Sequence, residues 1–174
     1  MRPVILPLAL CGAALLATFA LARPHESAAK VRVGTYDSRA IAVAYAPSKF
    51  NPVGEKRREL EAAKAAGDTE RVAELEAWGP KHQRALHRQG FGRVPVDDLL
   101  AHVADRLPEA ARAAGVDVIV FDCSWAGPEV EVVDVTHELV ALFDPSERTL
   151  TTVEELLEHE PVDLDEIEGH QDDH

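Results

Sequence analysis

Cysteine, aromatic side chains and positive charge are all scarce in this sequence. Two cysteines in 174 residues, Cys11 and Cys123, exclude a disulfide framework. Aromatics make up only 5% of the chain while alanine is plentiful, which leans the composition towards helix. Lys and Arg number 18 against 31 Asp and Glu, a net charge of −13. That balance excludes a general nucleic-acid binder, because phosphate recognition needs a basic surface. No repeat of about 20–50 residues is visible. Gly90-Phe91-Gly92 lacks the third glycine of a nucleotide loop and follows no strand. No serine nucleophile elbow and no zinc-type cysteine pair occur. The length suits one domain with a genuine core.

The one long hydrophobic run lies at the start. Met1-Arg2 supplies a positive charge, Val4 to Ala22 carries none, and Ala20-Leu21-Ala22 has the small-x-small form of a cleavage site. Residues 1–22 therefore read as a signal peptide, removed after Ala22, of a protein exported to the periplasm or cell envelope. Cleavage leaves no stable membrane insertion. The competing readings are an uncleaved anchor, since nineteen residues just span a bilayer, and lipidation at Cys11. Cleavage leaves a net charge of −14 and one cysteine, Cys123, which has no intramolecular partner. Cys123 reads as a small buried apolar residue; a reactive thiol or intermolecular bridge is the alternative.

Residues 23–150 form the expected domain. Val31–Tyr36 alternates and reads as a strand. Asp37-Ser38 caps a short helix carrying Ile41, Val43 and Tyr45. Residues 55–66 and 69–78 are charged and alanine-rich, and Gly67-Asp68 between them ends one helix and starts the next. Residues 53–90 thus read as an antiparallel helical hairpin, projecting from the body and adding little to its core. Val72, Leu75 and Leu86 fit one weak coiled-coil seam, and Gly79-Pro80 should kink or interrupt the helix. Val96, Leu100, Val103, Leu107, Ala111 and Ala114 recur at helical spacing and predict one amphipathic helix, bent at Pro108 and ended by Gly115. Val116–Phe121 reads as a central strand buried on both faces, Val130–Val133 as another strand, and Asp134 as the cap of a last helix. Residues 151–174 carry ten carboxylates, three histidines and no Lys or Arg. They read as an acidic tail, largely disordered beyond one docking turn at Val153, Leu156 and Leu157. The fold class expected is α+β, mostly helical, with a small β-sheet body joining both chain ends.

Chemistry-bearing residues are few. Cys123 with His137 or His102 is conceivable as a thiol–base pair, but buried cysteine and surface histidines describe them better. His82 and His87 are five apart and read as solvated arm residues. The tail's His159, His170 and His174 imply at most loose binding of divalent metals. Trp78 and Trp125 read as packed at the arm base and at a turn. No catalytic, cofactor-binding or metal-ligating residue is assigned.

Three stretches resemble the Skp or OmpH-like family of periplasmic chaperones. They are Val31–Ala44, the helix-ending glycine and apolar strand of Gly115–Asp122, and the Asp-Val-Thr start of the last helix in Val132–Thr136. The likeness spans residues 31–143. Ala65-Ala66-Gly67-Asp68-Thr69-Glu70 and Phe143-Asp144-Pro145 look like a short-armed secreted branch without assigned function. The resemblance implies a homotrimer built through the sheets, and arms that hold unfolded outer-membrane proteins. The arms here are short, about three to six turns each, and the chain is acidic where the family is basic. The leading expectation is a non-catalytic, chaperone-like envelope protein binding unfolded or envelope proteins. The alternatives are an envelope hydrolase using Cys123 or the histidines, and a structural or metal-buffering protein acting through the acidic tail.

Overall fold

A computed structural model describes residues 30–169. The signal-peptide reading of residues 1–22, Cys11, and the tail residues 170–174 lie outside them. The architecture is α+β and mostly helical, around one small three-stranded sheet. β1 (Val31–Thr35) is its middle strand, flanked by β2 (Val118–Ile119) and β3 (Val130–Asp134), both parallel to it. The sheet therefore brings the start of the domain against segments about a hundred residues later.

The middle place of β1 corrects the expectation that Val116–Phe121 is the central strand. β2 is a two-residue edge strand, prolonged by Asp117 N–H donating to the Arg32 carbonyl and Val120 N–H donating to that of Gly34. Its apolar continuity has a different cause. Val116 is buried and Ile119 packs on the core, whereas Val118 is 46% exposed. In parallel pairing, partnered residues share a face. Val31 and Val130, then Val33, Val132 and Val118, line one face, and nothing covers it among the described residues. The opposite face enters the core. There Gly34 leaves no room for a side chain, since a Cβ would stand 2.8 Å from Val135. Arg32 ties the strands together. Its amide donates to Asp117, its guanidinium donates to the carbonyls of Ala114 and Gly115, and it pairs with Glu131.

After β1, Asp37 caps α1 (Ser38–Tyr45) by accepting from the Arg39 amide. Ala40, Ile41, Ala44 and Tyr45 of α1 sit at the centre of the core. α2 (Val53–Ala66) ends at Gly67, which adopts φ +70, and Asp68 caps α3 (Thr69–Phe91) by accepting from Arg71 N–H. Ion pairs Glu59–Arg71 and Lys64–Glu76 join the two helices across the turn. α3 is one continuous 23-residue helix, with Pro80 inside it. Pro80 therefore does not interrupt the helix, and α3 packs against α1. α3 also reaches the core through Leu86, so residues 53–90 contribute more than their sequence suggested.

The expected single helix over 96–114 is divided into α4 (Asp97–Leu100), a 3-10 turn at Ala101–Val103, and α5 (Leu107–Ala114). Pro108 contributes: it fits the first turn of α5, and without an N–H it cannot donate to the Ala104 carbonyl and so continue the preceding turn. Gly115 ends α5 at φ +65. α6 (Thr136–Ala141) follows β3 and packs Leu139 and Val140 inward.

The tail is the largest correction. α7 (Glu147–Leu157), capped by the Ser146 hydroxyl, packs on α1 and buries Val153 completely. α8 (Leu164–Gly169) lies on the end of α3, where Val162 N–H donates to the Phe91 carbonyl and Ile167 is buried. A net-charge argument missed this because Glu154, Glu155, Glu158, Asp165 and Glu166 are exposed, while Val153, Leu156, Leu157 and Ile167 form an inward stripe.

Candidate functional site

Among the described residues, α1, α2, α3 and α7 wall an apolar groove of about 740 Å³. Ala42, Val43 and Ala46 form its α1 side, and small side chains there keep the floor low. Leu60, Trp78 and Phe91 project towards it but stay outside the core cluster. Phe91 is half exposed. Large apolar side chains that the core does not use are costly in water and mark a binding surface.

The polar groups of the groove are all cationic or neutral: Lys56, Arg57, His82, Gln83, His87 and Thr152. No carboxylate lines it, in a chain with 31 of them. Lys56 is partly neutralised by Glu59 at 3.0 Å, while Arg57 makes no ion pair among the described residues. His82 stacks on Trp78 with ring centres 4.6 Å apart, and its Nε2 lies 3.0 Å from Asn51 Oδ1. The Asn51 amide nitrogen donates to the Ala46 carbonyl, so Oδ1 accepts and His82 Nε2 carries the proton. Burial lowers the His82 pKa from 6.5 and so favours the neutral ring, opposed by the charge of Asp98. His87 packs edge-on against Phe91. His82 and His87, read as solvated arm residues, are instead half-buried parts of this wall.

The other sequence candidates do not converge. The Cys123 thiol donates to the Trp125 carbonyl, and its backbone amide to Asp122. His102 lies against the Tyr45 and Phe50 rings. His137 is 3.7 Å from Glu154. Among the described residues no hydrogen bond joins Cys123 to either histidine, and no group of three His, Cys, Asp or Glu is placed to hold a metal ion. Trp125 is 82% exposed, not packed at its turn.

A second cavity, about 700 Å³, lies between α4, α5 and the end of the sheet. Tyr36 borders it, and burial, with the nearby Asp97 charge, pushes its phenol up to about 12. That phenol stays protonated at neutral pH and cannot serve as a base there. Sequence reasoning missed the groove because its lining comes from four segments. The available signal was the presence of Leu60, Trp78 and Leu86 among the otherwise charged residues 53–90. No protein-family model, curated protein or solved structure matches this chain.

Proposed function

We propose that this is a non-catalytic, chaperone-like protein of the cell envelope, which binds apolar segments of unfolded or envelope polypeptides. The observation that carries the reading is the groove: a large apolar concavity lined by aromatic and aliphatic side chains that the core does not need. In this reading α2 and α3 are a short antiparallel arm whose acidic tip projects into solvent and whose base forms the groove wall. The bare valine face of the sheet supports a second element, self-association into a homotrimer, as the resemblance to Skp or OmpH-like proteins implies. The apolar first segment supports export.

The test is dilution of a denatured client into the protein, followed by light scattering at several salt concentrations. Wild type should suppress aggregation. Leu60→Glu, which puts a carboxylate into the groove at a half-buried site outside the core, should lose most of that protection while keeping its helical circular dichroism. Cys123→Ser should keep it. A wild type that protects no client at any salt concentration refutes the reading.

A further inference from the structure

Resting on that reading, we infer that the segment the groove receives is an amphipathic α-helix with an acidic flank. The walls are all helices: α1, α2, α3 and α7. Helix backbones satisfy their own N–H and C=O groups, so a helical wall offers a guest side-chain contacts and no ladder of backbone partners. An extended segment laid there would leave about one donor and one acceptor per residue unpaired in an apolar setting, which is costly. Strand addition solves that problem at a sheet edge, and this groove contains none. A helix brings its backbone already paired and presents only a stripe of side chains.

Size agrees with a stripe rather than a whole helix. A helix is about 10–12 Å across with its side chains. The groove's 740 Å³ accommodates side chains from one face of it and leaves the opposite face in solvent. Charge selects the flank. Lys56 and Arg57 stand on the α2 side, no carboxylate lines the groove, and Arg57 has no ion-pair partner of its own among the described residues. A guest with carboxylates beside its apolar stripe gains these cations, whereas a lysine-flanked guest meets like charge. The local sign is thus opposite to that of the molecule as a whole.

Trp78 provides the readout, because it lines the groove and the only other tryptophan, Trp125, can be removed. The experiment uses the full chain carrying Trp125→Phe. It is titrated with two peptides of about 18 residues, five helical turns, identical in composition (Leu, Ala, Gln, Glu). One places leucine at helical spacing and the other alternates it. The helical pattern should shift Trp78 emission saturably and bind about tenfold tighter than the alternating one, the size of a modest packing difference. Replacing its Glu by Lys should weaken binding about threefold, the scale of partly exposed ion pairs. Arg57→Glu, an exposed site that leaves the fold intact, should invert that preference.

Equal or tighter binding of the alternating peptide overturns the helical guest and leaves the binding reading standing. Tighter binding of the lysine peptide to wild type overturns the acidic flank. Saturable binding of palmitate that excludes both peptides assigns the groove to acyl chains and overturns the proposal. A Trp78 emission that changes on simple dilution assigns it to a second copy and does the same. No response to either peptide overturns this inference together with the binding reading.

Discussion

Asp37 and Arg39 hold the junction where the sheet meets the first helix. The Asp37 carboxylate caps α1, accepts both Nε and Nη2 of Arg39, and lies 2.6 Å from the latter. Arg39 is 4% exposed and donates onwards to the His159 carbonyl, so one charged pair joins β1, α1 and the segment after α7. Burial alone would raise the Asp37 carboxyl. The hydrogen bonds from Arg39, then the charges of Arg39 and Arg93, outweigh it and hold the group below its ordinary 3.8. A carboxyl lower in the folded state than in the unfolded one stabilises the fold above the unfolded value, and that contribution fades as pH falls through the folded value. Urea melts of wild type and Asp37→Asn should therefore differ most near neutrality and converge below about pH 4. A gap that stays constant down to pH 2.5 would show that the carboxylate charge is not what matters.

Among the elements, α7 separates what the sequence showed from what it hid. The local signals were legible: the Asp37 cap, Gly67 and Asp68 at the α2–α3 turn, and Gly115 ending α5 each rest on one residue's own backbone or side-chain chemistry. Placement was not legible where it depends on distant partners. An apolar run such as Val116–Phe121 reads alike whether its second face meets a core or a bare valine surface. Val153, Leu156 and Leu157 reveal a docking stripe only once α1 is there to receive them. Likewise the groove was hidden because Val43, Leu60, Trp78 and Leu156 meet only in three dimensions. The consequence for α7 is testable by truncation. A chain ending at Ser146 should be strongly destabilised, since it uncovers the Val153 site on α1; removing a buried aliphatic side chain alone costs about 1–3 kcal/mol. A chain ending at Glu160, which keeps the His159 carbonyl that Arg39 donates to, should stay much closer to the native Tm. Equal melting of the two would mean that α7 is not part of the core.

At the scale of the whole molecule, a net charge of −13 and a bare apolar sheet face pull in opposite directions. The charge keeps copies apart at low salt, and the valines favour bringing them together once salt screens it. Val132 is 42% exposed on that face, so Val132→Asp should abolish self-association in light-scattering chromatography and leave a folded monomer. A wild type that stays monomeric in high salt removes the homotrimer from the proposal. The parallel sheet has one more consequence, which concerns time. β1 stands at the beginning of the domain, yet its neighbours arrive near the end; the Asp37 amide reaches its Thr136 hydroxyl partner across 99 residues. α2 and α3 are separated by two residues, and each is a local element that can form while the chain is still emerging. β1 must wait for β2, and on its other edge for β3, because distant pairings carry the larger closure entropy. Between the completion of α3 and that of β3 the chain carries finished helices on an unfinished body, and β3 is the strand that completes the sheet.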